Sequence, residues 1–309
     1  MAIFSDQFVS VEPVVVVDSI KEKGYFSFEK AVNSEFLHEL TTELSQYRPS
    51  INKNSPAPVW LNDQYFFPQA FAACRSYYDY IVSEKILSIC RAAFDDSYRL
   101  KCHRYYETSY GHSMEWHADN VTNNQEVTGT DGYIFILYVN DVFDGEFQLI
   151  TNSYEERKSG DWSYSYSNRY IEDNYADRIQ SFAMPAGSII IYDTYGIHRA
   201  KPITAKGFTR KSIFFQVDSS NRNAEEIIVN PAFITRFNDE IARYLGFGQV
   251  QDFKSNPQSN VKHIPMPVLL RFGLDVLKAV SVRSIKYVFR KILSHDQKMK
   301  IARKWDVHF

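Results

Sequence analysis

The chain has few cysteines, and none of them has the spacing of a metal-binding motif. Among its 309 residues only Cys74, Cys90 and Cys102 are cysteine, and no CxxC sequence occurs. This composition disfavours a disulfide-stabilised scaffold and a thiolate zinc site. It fits a reducing compartment, and we expect a cytoplasmic protein.

Long apolar runs are also lacking. The run VVVV at 14–17 spans four residues, far short of the roughly 20 residues that cross a bilayer. The N-terminus has no basic segment followed by a long apolar one. We therefore predict neither a signal peptide nor a membrane-spanning segment, and we interpret VVVV as a buried strand.

Hydrophobic residues are abundant: they make up 44% of the chain, with 23 Phe and 21 Tyr. This favours a large packed core over disorder. The net charge of −2 hides an asymmetry, because residues 262–309 carry 11 Lys/Arg and 3 Asp, a balance of +8. The rest then carries 24 Lys/Arg and 34 Asp/Glu, a balance of −10. A basic tail on an acidic body suggests that the tail has its own partner.

The pattern of apolar residues divides the chain into three zones. Residues 1–99 are predicted to be a mainly helical support region, with helices near 33–47 and 69–95. Residues 100–218 contain short segments rich in Ile, Val, Tyr and Phe, typical of a strand sandwich or barrel. Residues 219–309 return to helix. The predicted fold class is α+β.

One long polar insertion, residues 151–178, interrupts the strand zone. It contains Trp162, Tyr164, Tyr166 and Tyr170 among Ser and Asn residues. Amphipathic aromatic side chains of this kind can stack on sugars or close over a substrate. The alternative is an ordinary loop at the edge of the sheet, whose aromatics cover the barrel.

Three side chains in the strand zone suggest a metal site. His117 and Asp119 are two positions apart in MEWHADN, so in an extended chain they point the same way. His198 follows the strand-like run GSIIIYDTYG. Two histidines and one carboxylate, the first pair as H-x-D, form the facial triad of non-haem Fe(II) oxygenases, which leaves coordination positions open.

Four motifs in this zone carry a resemblance to a known superfamily: GHSMEWHADN, YIFILYVND followed by GEFQLI, AGSIIIYDTYGIHRAKPI and TRKSIFFQV. Together they resemble the Fe(II)/2-oxoglutarate-dependent dioxygenases, nearest in style to the prolyl-4-hydroxylase-like and phytanoyl-CoA hydroxylase-like branches. The resemblance covers about residues 100–218. It implies a double-stranded β-helix, or jelly-roll, with His117, Asp119 and His198 as iron ligands.

The resemblance also implies a site for the co-substrate 2-oxoglutarate. Arg210 matches the residue that binds its distal carboxylate, and strand alternation puts Ser212 on the same inner face. The superfamily's tyrosine is Thr108 here, so Tyr105, Tyr106 and Tyr133 are the candidates for that hydrogen bond.

The implied activity is hydroxylation of an unactivated C–H bond. Fe(II) is the bound metal, 2-oxoglutarate and O2 are co-substrates, and succinate and CO2 are released. We expect a small-molecule, saccharide or lipid-linked substrate. Gln216 stands where nucleic-acid demethylases have a second arginine, so no nucleic-acid partner is expected. Protein side-chain hydroxylation, a metal-dependent cupin-like enzyme without 2-oxoglutarate and a non-catalytic jelly-roll binding module remain alternatives.

The last predicted element is a basic amphipathic helix over 267–293. Leu270, Leu274, Leu277 and Val280 fall on one face, with Lys and Arg largely opposite. Such a helix can lie on an anionic membrane surface as a peripheral contact. It can equally dock on the acidic body of the protein or bind a partner protein.

Overall fold

The computed structural model forms two compact units, residues 1–251 and 252–309. It describes residues 1–54, 64–67, 70–95, 97–111, 114–119, 131–153, 165–219, 224, 227–235, 237–248, 270, 273–278, 280, 281 and 284. Within these residues no helix has the length and apolarity needed to cross a membrane.

The described part of the first unit combines helices with antiparallel strands. The helices are α1 (Asp6–Val9), α2 (Pro13–Lys23), α3 (Ser34–Asn54), α4 (Ala70–Ala73), α5 (Arg75–Ile81), α6 (Glu84–Phe94), α7 (Asn168–Tyr175) and α8 (Asp239–Tyr244). The strands are β1 (Tyr25–Phe28), β2 (Gln64–Phe67), β3 (Arg99–Ser109), β4 (Trp116–His117), β5 (Gly132–Tyr138), β6 (Phe147–Ile150), β7 (Ser165–Tyr166), β8 (Ile179–Phe182), β9 (Ile189–Asp193), β10 (His198–Ala200) and β11 (Thr209–Asp218).

The strands form two antiparallel sheets. The larger has six strands in the order β1-β9-β5-β11-β3-β2, and the smaller has five in the order β7-β4-β10-β6-β8. Ile134, Tyr138 and Ile190 of the larger sheet form one apolar cluster with Phe147 and Leu149 of the smaller. The two sheets therefore pack against each other, and the α+β prediction is confirmed.

The N-terminal helices cover the outer face of the larger sheet. Phe8, Val16 and Leu40 belong to the same buried cluster as Phe135 and Phe215 of the central strands. The predicted helix at 33–47 is present as α3, and the Asn33 side chain accepts a hydrogen bond from the backbone N–H of Glu35 at 3.1 Å. The helical run at 69–95 is also present, as α4, α5 and α6.

The prediction of a strand at VVVV was wrong, because these residues lie in α2. Pro13 occupies the first turn of this helix, where its missing N–H has no effect. Val16, Val17 and Ile20 are buried, whereas Val14 is 55% exposed. That is the periodicity of a helix with one buried face rather than the alternation of a strand.

Residues 219–309 were predicted to return to helix. In the described part of this zone that belongs to the first unit, the structure has a 3-10 turn, Pro231–Phe233, and α8, each with its own asparagine N-cap. In the second unit every described residue is helical. The rest of the predicted segment 267–293 lies outside the described residues.

Candidate metal centre

His117 and His198 lie opposite each other on neighbouring strands of the smaller sheet. They form a cross-strand pair between β4 and β10, with ring centroids 4.4 Å apart. Asp119 follows β4. Its Oδ1 lies 3.7 Å from His117 Nε2, and its Oδ2 lies 3.3 Å from His198 Nε2. One ligand atom from each residue falls within 4.8 Å of the others. The predicted triad is therefore brought close enough together to hold a single metal ion.

Backbone carbonyls fix the ring orientation of both histidines. Nδ1 of His117 is 2.8 Å from the carbonyl of Glu115, and Nδ1 of His198 is 2.9 Å from the carbonyl of Gly196. An imidazole that donates from Nδ1 presents an unprotonated Nε2, which is the form that ligates a metal. Each carbonyl lies two residues before its histidine, so the chain conformation itself selects the tautomer.

Burial keeps His198 neutral. It lowers the pKa of His198 to about 4, although the nearby Asp119 carboxylate acts in the opposite direction. A neutral Nε2 cannot donate to the Asp119 oxygen 3.3 Å away, so two electron-rich atoms face each other. The Tyr192 hydroxyl lies 3.3 Å from the same nitrogen. Sequence reasoning missed Tyr192, although its position on β9, two residues from the buried Ile190, indicated the same face.

The triad lines a cavity of about 150 Å³ between the two sheets. Its other lining residues, predominantly apolar or aromatic, are Arg104, Tyr106, Met114, Ile136, Tyr138, Phe147, Tyr192, Ala200, Arg210, Ser212 and Phe214. Apolar walls around a few polar groups are typical of small-molecule sites.

Arg210 projects into this cavity from β11, as strand alternation predicted. Its side chain is buried, and Nη1 donates a hydrogen bond to the carbonyl of Gly145. Ser212 lines the same wall two residues further on, and Lys211 between them is not part of the lining. Gly145 has φ +65°. A Cβ added there would lie 2.1 Å from Ile203 Cγ1, so the turn that presents this carbonyl requires glycine.

The structure places Tyr105 and Tyr133 away from this cavity, which corrects their assignment as co-substrate residues. Both belong to the core beneath the N-terminal helices, on the opposite face of the larger sheet. Tyr105 donates its hydroxyl hydrogen bond to Glu107 at 3.0 Å. Tyr106, one residue along β3, lines the cavity instead, since neighbouring residues in a strand face opposite ways.

Part of the insertion at 151–178 lies beside the candidate metal centre. Its strand β7 pairs with β4, with Ser165 opposite His117 and Tyr166 opposite Trp116. The α7 helix follows at once, with Ser167 as its N-cap. Trp162 and Tyr164 lie outside the described residues. The described part of the insertion thus contributes a strand that pairs with the strand of a candidate metal ligand, His117.

Two buried polar atoms of the cavity make no hydrogen bond to any described residue: Asp119 Oδ2 and Arg210 Nε. Buried polar groups in proteins nearly always have a partner. A cation between the triad atoms would satisfy Asp119, and an anion beside Arg210 would satisfy its guanidinium. The residues present therefore fit a divalent metal and an acidic co-substrate.

Comparison with known proteins gives fold relatives only. No protein-family profile matches the sequence, and no curated protein does. Among solved structures, HygX from Streptomyces hygroscopicus with iron bound has a TM-score of 0.52 at 12% identity, covering 72% of this chain and 94% of HygX. HygX with nickel, 2-oxoglutarate and hygromycin B has a TM-score of 0.50 at 11% identity, covering 66% of this chain and 86% of HygX.

A second relative is SnoK, described as a non-heme alpha ketoglutarate dependent carbocyclase from nogalamycin biosynthesis. It has a TM-score of 0.52 at 11% identity, and the match covers 66% of this chain and 83% of SnoK. At such identities the likeness concerns the fold. The chain therefore shares its fold with a protein crystallised with iron, or with nickel and 2-oxoglutarate, and with one described as a non-heme alpha ketoglutarate dependent carbocyclase.

Proposed function

We propose that this protein is an Fe(II)- and 2-oxoglutarate-dependent oxygenase with a jelly-roll core. The observation that carries the proposal is that one cavity holds two buried polar atoms with no hydrogen-bond partner among the described residues, Asp119 Oδ2 and Arg210 Nε. His117, Asp119 and His198 converge within 4.8 Å, and Arg210 presents a buried guanidinium to the same space. The triad without Arg210 would equally support a metal enzyme that does not use 2-oxoglutarate.

Each residue has a distinct part in this function. His117 and His198 would hold the iron through Nε2, and Asp119 would supply one carboxylate oxygen. Arg210 would bind the distal carboxylate of 2-oxoglutarate, because a guanidinium matches a carboxylate in two parallel hydrogen bonds. With iron and 2-oxoglutarate bound, O2 would be the oxidant for hydroxylation of an unactivated C–H bond: one oxygen atom of O2 would enter the product and the other succinate, with release of CO2.

The cavity walls would control the reaction by excluding water. Ile136, Phe147 and Phe214 present apolar surface around the triad. Low water content strengthens the interaction of Arg210 with a carboxylate and protects a reactive site from side reactions. The protein's contribution is therefore to hold the metal, orient the co-substrate and keep the site dry.

Hydroxylation of a small-molecule, saccharide or lipid-linked substrate is the specific reaction that we propose. The name of SnoK, a carbocyclase, favours ring formation as a second candidate on the same site. Hydroxylation of a protein side chain, the prolyl type, is the other alternative. Product analysis by mass spectrometry distinguishes hydroxylation from ring formation, since the former adds one oxygen and the latter removes two hydrogens.

Anaerobic spectroscopy tests the proposal before any substrate is known. Fe(II) and 2-oxoglutarate are added to the purified protein, and the visible metal-to-ligand charge-transfer band of the chelate is measured. We expect a band that Asp119→Ala abolishes and that Arg210→Met shifts to at least tenfold higher 2-oxoglutarate. The conservative variant Arg210→Lys keeps the charge but loses the planar fork. Its half-saturating 2-oxoglutarate concentration should therefore lie between those of the unchanged protein and Arg210→Met.

Absence of the band in folded, iron-loaded protein would overturn the use of 2-oxoglutarate. The choice would then fall between a metal enzyme that does not use 2-oxoglutarate and a non-catalytic binding module.

We further propose that the second unit makes a peripheral contact with anionic membranes. Leu270, Leu274 and Leu277 are each more than 60% exposed, in a stretch of chain with a balance of +8. Exposed apolar side chains at helical spacing in a basic segment suit a lipid surface. Co-sedimentation with vesicles of phosphatidylcholine and 30% phosphatidylserine tests this. We expect binding that Leu274→Asp weakens, and equal recovery with neutral vesicles would contradict it.

A further inference from the structure

The Tyr192 hydroxyl lies beside the nitrogen through which His198 would hold the iron. The hydroxyl oxygen is 3.3 Å from His198 Nε2, and Asp119 Oδ2 is also 3.3 Å from that nitrogen. All three side chains line the same cavity. Tyr192 is therefore next to two of the three proposed ligands, although it is not itself a member of the triad.

Packing fixes the ring of Tyr192. Strand β9 lies between β1 and β5, so the backbone of Tyr192 is paired on both sides, with Tyr25 and with Ile134. The side chain is 1% exposed, and its ring centroid lies 4.7 Å from that of Phe147 and 4.9 Å from that of His198. A ring packed in this way has little room to move, whereas rotation about the C–O bond can still redirect the hydroxyl proton.

Metal binding would remove the acceptor that this hydroxyl faces. Because Nδ1 of His198 donates to the carbonyl of Gly196, Nε2 carries a lone pair that can accept from Tyr192 in the metal-free protein. That lone pair is the one that would bind the metal. The Tyr192 hydroxyl would then need another acceptor, since a buried hydroxyl without a hydrogen bond costs free energy.

Asp119 has an oxygen that can accept this proton. The proposed function uses one of its two carboxylate oxygens as a metal ligand, and Oδ2 has no hydrogen-bond partner among the described residues. Carboxylates bind metals through one oxygen or through both. If the second oxygen of Asp119 also bound, it would occupy a coordination position that the triad otherwise leaves open for the co-substrate.

We infer that Tyr192 is a positioning residue of the metal centre, an inference that rests on the proposed function. Its hydroxyl donates a hydrogen bond to the Asp119 oxygen that does not bind the metal. This bond keeps Asp119 attached to the metal through one oxygen, so that the remaining positions stay open for 2-oxoglutarate. Tyr192 thereby acts on co-substrate binding through Asp119.

Infrared spectroscopy tests this role without any co-substrate. Co(II) is added to the metal-free protein, and the difference spectrum is recorded in the carboxylate region. The separation between the antisymmetric and symmetric stretches is wide when one oxygen binds the metal and narrow when both do. Bands that shift with 13C-labelled aspartate and are absent from Asp119→Ala belong to this residue. We expect a wide separation in the unchanged protein and a narrow one in Tyr192→Phe.

Two titrations distinguish this role from general support of the fold. In Tyr192→Phe the half-saturating 2-oxoglutarate concentration, measured by the charge-transfer band, should rise about tenfold, as expected for a lost hydrogen bond to a charged group. Co(II) affinity should change less than about threefold, because the released oxygen adds a bond to the metal. Tyr25→Phe is the matched control: Tyr25 packs against the same apolar cluster as Tyr192 but does not line the cavity. It should behave like the unchanged protein.

Four results would overturn the inference. They are a narrow separation in the unchanged protein, a wide one in Tyr192→Phe, and an equal fall in Co(II) and 2-oxoglutarate affinity in that variant. The fourth is a phenolate-to-metal charge-transfer band in the Fe(III)-loaded protein that Tyr192→Phe removes, which would make Tyr192 a ligand. Failure of the use of 2-oxoglutarate is a separate outcome, since the chelate band would then be absent from the unchanged protein while the infrared result is unaffected.

Discussion

His198 and Gly196 are linked by a hydrogen bond from the imidazole Nδ1 to the backbone carbonyl two residues earlier, at 2.9 Å. This contact orients Nε2 of His198 toward Asp119 and His117. Support of this kind commonly changes metal affinity 10- to 100-fold when it is lost. The backbone carbonyl of Gly196 is therefore part of the candidate metal centre, together with the His198 side chain that it orients.

Replacing Gly196 by alanine should weaken metal binding. The added Cβ would lie 2.8 Å from Leu149 Cδ1 and 3.0 Å from the carbonyl of Asp193, so the turn must shift and move the supporting carbonyl. We expect Fe(II) or Co(II) affinity to fall about tenfold, measured by competition with a chelator. Gly273→Ala is the control, because that Cβ meets no atom within 4 Å. Unchanged affinity in Gly196→Ala would show that the carbonyl is dispensable.

Replacing Gly145 by alanine should weaken co-substrate binding while leaving the metal in place. Gly145 has φ +65°, a conformation that costs other residues about 1–2 kcal/mol, and its carbonyl accepts a hydrogen bond from Arg210. We expect the half-saturating 2-oxoglutarate concentration to rise about tenfold with Fe(II) affinity unchanged. Since the added Cβ would meet Ile203, Ile203→Ala in the same chain should restore part of the loss. An equal fall in Fe(II) affinity in Gly145→Ala would contradict the prediction that only co-substrate binding depends on this turn.

Phenylalanine variants of the three candidate tyrosines should differ in their effect on 2-oxoglutarate binding. Tyr106→Phe removes a hydroxyl from the cavity and should raise half-saturating 2-oxoglutarate about fivefold, as expected for one hydrogen bond. Tyr105→Phe and Tyr133→Phe alter the opposite face and should change it less than twofold, although Tyr105→Phe should lower stability through its bond to Glu107. A larger effect from Tyr133→Phe than from Tyr106→Phe would contradict the assignment of faces.

His103 should make the protein less stable in mild acid. It is buried against Phe71 and Tyr77, and burial lowers its pKa to about 3. The unfolded chain, with an ordinary histidine pKa near 6.5, binds a proton that the folded chain does not. Stability from this group is therefore present above pH 6.5 and is lost as the pH falls toward 3. Between pH 7.5 and 5 the loss is about 2 kcal/mol.

Urea unfolding of the metal-free protein at these two pH values measures that loss. In His103→Gln the difference between them should be smaller by about 2 kcal/mol, because no proton is taken up at this position. An identical difference in the two proteins would mean that His103 is protonated in the folded state. Arg169→Met serves as a control that should not alter the pH dependence, because the Arg169 side chain is 90% exposed on α7.

The sequence signals that point to the candidate metal centre are local. The H-x-D spacing, the strand that ends near His198 and the alternation that turns Arg210 inward each depend on a few neighbouring residues. The co-substrate tyrosine depended on strand register instead. A shift of one position from Tyr105 to Tyr106 exchanges the core face for the cavity face. The same alternation, continued from Tyr106, places Arg104 on the cavity face as well.

Tertiary pairing explains the remaining differences. The run VVVV has strong β propensity, but a proline-initiated helix with one buried face packs against the outer side of the larger sheet. The pairing of β7 with β4 joins residues about fifty positions apart, and no short pattern indicates it. Propensity describes the segment alone, whereas its final state depends on which surface it covers.

The region before residue 100 also supplies both borders of the larger sheet. β1 pairs with β9 on one side, and β2 pairs with β3 on the other. A protein shortened to begin at residue 100 would keep every candidate metal and co-substrate side chain, yet it would expose unpaired backbone along β9 and β3. Open strands of this kind recruit other chains and aggregate. The N-terminal region thus pairs with the strand edges of β9 and β3 that would otherwise be open to other chains.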